Sequence, residues 1–155
     1  MYERILVALD GSEVAEQVLP HVEQLARAFG STLILLEATT APEKLAAELG
    51  AGMDAGAPVI LDPEPIVEAE EDEAESYLGG VARRLRAAGL TVQAEHLPGA
   101  AAEAIVRRAQ ELNVGLIAMA THGHSGLRHL IFGSTSESVL HQATCPVFVV
   151  RAAEE

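Results

Sequence analysis

The 155-residue chain holds one cysteine, Cys145, no tryptophan, and an aromatic fraction of only 3%. A single thiol excludes an intrachain disulfide framework and fits a reducing compartment. With so few rings, a core must be built from Val, Leu, Ile and Ala, which the hydrophobic fraction of 49% supplies. Basic residues are scarce: 10 Lys and Arg stand against 23 Asp and Glu, for a formal net charge of −13. That balance excludes nucleic-acid binding through a basic face, and any anionic ligand must be held by local dipoles. No apolar run reaches the roughly 18–20 residues that cross a bilayer, and no secretory core opens the chain. A cytoplasmic domain without membrane contact is therefore expected.

Several catalytic signatures are also missing. No G-x-x-x-x-G-K-[ST] loop occurs, no G-x-G-x-x-G stands at a strand-to-helix turn, and no G-x-S-x-G elbow is present. Without a phosphate-loop lysine, binding of a phosphate has more support than efficient phosphoryl transfer. Whether the protein is an enzyme stays open, with slow hydrolysis as the upper bound.

What the chain does contain is an alternation of short apolar runs and helical periods. Residues 5–9 (ILVAL) read as a buried parallel strand. Ser12 then caps a helix whose apolar positions are Val14, Val18, Val22, Leu25 and Phe29. Pro20 is expected to kink that helix, and Gly30 to close it. Residues 32–38 form a second strand. Residues 39–66, rich in Pro, Gly and Ala, read as a long mobile insertion with one short helix around 43–49. The acidic run 68–75 is placed in the first turns of the next helix, where negative charge suits the macrodipole. A partly alternating strand over 91–97 at a sheet edge, a helix over 101–113 and an apolar strand over 115–119 follow. A helix from about 135 to 142 and a last strand over 146–150 complete the pattern. Such alternation predicts one α/β domain over 1–155, with a parallel sheet covered by helices on both faces.

In open α/β sheets ligands sit beyond the carboxyl ends of the strands, where strand order reverses. Two strand ends carry suitable chemistry: Asp10-Gly11-Ser12, and the stretch MATHGHSGLRHLIFGSTSES over residues 119–138. Gly123 and Gly126 permit close backbone approach. Ser134 and Glu137 have capping-box spacing, which places a helix start with free amides directly after Gly133. A capping box also occurs in helices that bind nothing, so both readings stand on this feature alone. His122, His124 and His129 suggest a metal, but no nearby Cys or carboxylate completes a tetrahedral set. Arg128 either reaches a terminal phosphate or faces solvent. Cys145, just before Pro146, reads as a small core residue and not a nucleophile.

The chain resembles the universal stress proteins. The similarity runs from ILVALDGSEVAEQVL, through PGAAAEAIVRRAQELNVGLIAMATHGHSGL, to FGSTSESVLHQATCPVFVVR, nearly the whole length. Nucleotide-binding members carry G-x2-G-x9-G-[ST]. Gly123, Gly133 and Ser134 match its later positions, whereas Ala120 stands at the first glycine. The resemblance implies an open five-stranded sheet of order 3-2-1-4-5, of the adenine nucleotide alpha hydrolase type. It implies ATP as ligand, with Mg2+ or Mn2+ held through the phosphates and Asp10 as a contact. Ala8, Ala38 and Met119 would line the adenine, with Leu9, Asp10 and Ser12 at the adenosine end. Ala120, His122, Gly123, Gly133, Ser134, Thr135 and Ser136 would surround the phosphates. It also implies a homodimer paired through residues 147–150. Two functions remain open: an ATP-dependent regulatory module of the stress response, and a dimeric interaction or chaperone-like factor that binds no nucleotide.

Overall fold

The computed structural model describes residues 1–51, 62–121 and 133–152. Five strands form one parallel sheet: β1 (Arg4–Leu9), β2 (Thr32–Thr39), β3 (Thr91–Pro98), β4 (Leu116–Thr121) and β5 (Val147–Arg151). Their order is β3-β2-β1-β4-β5, as the resemblance implied. The chain winds outward from β1 to β3, then crosses back to lay β4 on the other side of β1. The β1/β4 boundary is therefore the point where strand order reverses.

Among the described residues six helices connect the strands: α1 (Glu13–Glu16), α2 (Leu19–Phe29), α3 (Pro42–Ala51), α4 (Glu64–Ala87), α5 (Ala101–Glu111) and α6 (Ser134–Gln142). Alternating strand residues bury themselves in two separate cores. Ile5, Val7, Leu33 and Leu35 pack with Val18 and Val22 from α1–α2 and with Leu78, Val81 and Leu85 of α4. Leu6, Ala8, Ile34, Leu36, Ile117 and Met119 pack with Ile105 of α5 and Val139 of α6. Strands buried on both faces explain the uninterrupted apolar runs in the sequence. Among the described residues no helix is long and apolar enough to cross a membrane.

Several expectations are corrected. The expected kinked helix is two helices, because Pro20 lies in the first turn of α2 and α1 ends at Glu16. Glu16 is four residues before Pro20, where the ring excludes a helical carbonyl and the missing N–H leaves that carbonyl unbonded. Phe29 is 52% exposed instead of facing the core, and meets Tyr2 edge-on at 5.1 Å. The inner face runs instead through Ala15, Val18, Leu19, Val22 and Ala26. Gly30 closes α2 as expected, with φ +66 in the left-handed region that glycine reaches without strain.

The acidic run is likewise misplaced, since α4 starts at Glu64 behind Pro63 and only Glu64 lies in its first turn. Glu68 to Glu75 therefore occupy the helix interior, beyond the first turn, and Glu70 turns inward to accept the Thr40 N–H at 2.9 Å. The insertion is shorter than 39–66, because β2 runs to Thr39 and α4 begins at Glu64. Its expected short helix is α3; residues 52–61 lie outside the described residues.

Candidate functional site

The strand ends at the reversal point open onto a cleft of about 220 Å³. Of the thirteen positions expected at a site, Ala8, Leu9, Asp10, Ala38, Met119, Ala120, Gly133, Ser134, Thr135 and Ser136 line it. His122 and Gly123 lie outside the described residues, as do Gly126 and the other two loop histidines and Arg128.

Register builds the floor. Ala8 pairs with Leu36, and Val7 with Ala118, so that Ala8, Leu36 and Met119 emerge on one face of three adjacent strands. Ala38, two residues beyond Leu36, extends that face toward the rim. The result is a shallow apolar surface of small side chains, bordered by Ala101 and Ile105 of α5. Leu9 borders the cleft, but its side chain belongs to the opposite core.

The polar end is made by α6. Gly133 is its N-cap, with extended backbone (φ −67, ψ 159), and it has no side chain with which to cap the helix. This corrects the expected capping box: Ser134 is already helical, so its hydroxyl is not placed to cap Glu137. The cause is the end of β4, where Thr121 Oγ1 accepts the Gly133 N–H at 3.2 Å and fixes Gly133 in the cap position. Glu137 N–H then returns to the Gly133 carbonyl at 3.0 Å, closing the first turn. The first amides of α6 thus face the cleft at the positive end of a helix dipole.

The β1 end behaves differently. Asp10 Oδ1 accepts the Ser12 N–H at 3.0 Å and the Ser12 hydroxyl at 2.6 Å. Ser12 Oγ in turn accepts the Ala15 N–H at 3.1 Å and caps α1. Ser12 is engaged in the cap, and it is not among the cleft-lining residues. Asp10 keeps an exposed carboxylate at the rim. Behind this turn lies Glu37, whose Oε2 is buried without a hydrogen-bond partner. Burial first, then the carboxylates of Asp10, Glu70 and Glu73, raise its pKa, while His96 opposes them.

Among the described residues no group of three or more His, Cys, Asp or Glu side chains is placed to hold a metal ion. Cys145 is half-buried against the α5–α6 core, and burial pushes its thiol pKa up, which does not suit a nucleophile. Thr121, Leu36, Ala15, Ala101 and Ile105 belong to the cleft and were not expected there. Leu36 could have been found by parity from Ala38. Thr121 gave only the weak sign of a hydroxyl ending an apolar run.

The Ala120 methyl packs against the core formed by α1, α2 and α4. The departure from glycine therefore places its extra carbon mainly under the β1–α1 side, not at the α6 amides.

The chain is 32% identical over 155 residues to a universal stress protein of Thermus aquaticus encoded in the 3′ region of the QAH/OAS sulfhydrylase gene. That match covers 97% of this chain and 100% of the relative. The fold superposes on the protein MJ0577 of Methanocaldococcus jannaschii with a TM-score of 0.79 at 26% identity, covering 100% of this chain and 99% of the other. It also superposes on a universal stress protein solved in complex with cAMP, with a TM-score of 0.69 at 20% identity and 98% coverage of both. The Universal stress protein family matches residues 1–151, and the chain belongs to that family.

Proposed function

We propose that this protein binds ATP in the β1/β4 cleft and acts as a homodimeric, nucleotide-dependent regulatory module of the stress response. The observation that carries the reading is the meeting, in one cleft, of a small-residue apolar floor and a helix start with no side-chain cap. Ala8, Ala38 and Met119 suit the flat face of a purine. Asp10 stands at the ribose end, where an exposed carboxylate accepts hydrogen bonds from sugar hydroxyls. The amides of Ser134, Thr135 and Ser136 suit phosphate oxygens, and Gly133 places no side chain in their way. His122 and Gly123 fall to the phosphate end by their position in the motif. Mg2+ or Mn2+ would be held through the phosphates, with Asp10 as the nearest carboxylate. The cAMP complex of a structural relative supports an adenine nucleotide as the ligand class.

With no phosphate-loop lysine, occupancy and not turnover is the output of the site. In this reading residues 1–155 are one domain, whose insertion between β2 and α4 passes occupancy on to a partner. The homodimer pairs the outer edge of β5, which is half-buried along Val147 to Val150 and has β4 on one side only. The second reading, a dimeric interaction or chaperone-like factor without nucleotide, draws on Ala120 at a motif glycine.

Acid-quenched extracts and native mass spectra of freshly purified protein separate the two. Co-purifying ATP at one per chain, or a thermal shift on adding MgATP, is the expected result. No nucleotide and no shift at millimolar MgATP would sink the first reading.

A further inference from the structure

Thr121 ends β4 and is only 3% exposed. A buried hydroxyl is costly unless it is hydrogen-bonded, and this one accepts the Gly133 N–H across 12 positions of sequence. The Thr121 carbonyl accepts the Ala152 N–H at 2.9 Å, so the segment leaving β5 is tied to the same point. The start of α6 has no capping side chain of its own. Its placement over the cleft therefore depends on what holds Gly133, and among the described residues the side chain holding it is Thr121. Neither β1 nor β2, which carry Ala8, Leu36 and Ala38, depends on that contact.

We infer that Thr121 is a positioning residue that sets the phosphate preference of this cleft, by aiming the first amides of α6, while leaving recognition of the base untouched. The inference rests on the nucleotide reading above and assigns one residue the division between its two ends. Amides that drift by even about half an ångström lose much of their value to an anion, whereas an apolar floor tolerates such drift. Thr121→Val keeps the shape of the side chain and removes the acceptor. Thr121→Ser keeps the acceptor.

Titration calorimetry with ATP and, separately, with adenosine tests the division. Thr121→Val is expected to weaken ATP binding about tenfold, the scale of one lost hydrogen bond, and adenosine binding by less than about twofold. Thr121→Ser is expected to bind both like the parent protein. Without ligand, hydrogen exchange at the Gly133 amide should accelerate in Thr121→Val and stay slow in Thr121→Ser. Unchanged ATP affinity in Thr121→Val, equal weakening of both ligands, or unchanged exchange at Gly133 would each overturn the assignment alone. Parent protein that binds neither ligand would overturn the nucleotide reading and this assignment with it.

Discussion

Of the helices that begin at the carboxyl end of the sheet, α1 and α6 begin in nearly the same backbone geometry. Ser12 caps α1 at φ −86, ψ 151, and Gly133 caps α6 at φ −67, ψ 159. The difference is one side chain. At α1 the Ser12 hydroxyl takes the Ala15 amide, and Asp10 locks the serine from the other side. At α6 the cap residue has no side chain to take an amide, and among the described residues the side chain that holds Gly133 is Thr121. A helix start must find partners for its first N–H groups. At α1 one of them is taken by the side chain of the cap residue itself, and at α6 the cap residue offers none. The charge around them differs in the same sense, with Asp10 and Glu37 beside α1. A Cβ added to Gly11, in the α1 turn, would lie 3.9 Å from Glu37 Oε1.

Converting the second start into the first is the strongest test. Gly133→Asp places a carboxylate at a cap position whose backbone already suits it. It should raise Tm by about 2–4 °C through capping and the dipole while eliminating ATP binding by occupying the anion position. A gain in Tm with ATP binding intact, read by calorimetry, would show that the phosphates lie elsewhere. The converse change is Ser12→Ala, which removes the internal cap of α1. Urea unfolding should show a loss of about 1 kcal/mol, with ATP affinity within about twofold of the parent; a large drop in affinity would place Ser12 at the ligand.

Ala120→Gly restores the family glycine between the two starts. Because the methyl packs against the α1–α2–α4 core, the expected result is a stability loss of about 0.5 kcal/mol, from backbone freedom in a strand, with little gain in ATP affinity. A strong gain would mean that the methyl does obstruct the site. The smallest effect is expected behind α1, at Glu37. Its folded-state pKa is raised above the ordinary 4.5, so the fold favours the protonated carboxyl. The stability this contributes is present below about 4.5 and is lost as pH rises through the folded value. Glu37→Gln stays neutral throughout. At pH 7 it should unfold at higher urea than the parent, with the gap closing toward pH 4.5; a gap independent of pH would remove the electrostatic cause.

The helices and strands were largely legible in the chain because both faces of the sheet are covered. Apolar runs of five residues at Ile5 and Leu116, and helical spacing at Ile105 and Ala109, have few other interpretations. Boundaries set by long-range packing were not legible. The periodicity of Val14, Val18 and Val22 continues across the break before Pro20, and so it conceals a helix ending at Glu16. The acidic stretch at Glu68 looks like a helix start because local charge does not reveal that α4 begins a full turn earlier at Glu64. At the site, Ala8, Asp10, Ala38, Met119 and Gly133 could be named from strand ends and the family motif. Thr121 could not, because its importance lies in a contact with a residue twelve positions away.

By itself the sequence determined the class of fold, an aliphatic parallel sheet between helices, and the strand ends where chemistry collects. Those follow from local periodicity and composition, which each segment carries alone. Tertiary structure decided which helix start is satisfied and which is open. That outcome depends on where Thr121, Gly133 and Asp10 come to lie relative to one another, and hydrogen bonds across the end of a sheet form only after the strands have taken their order.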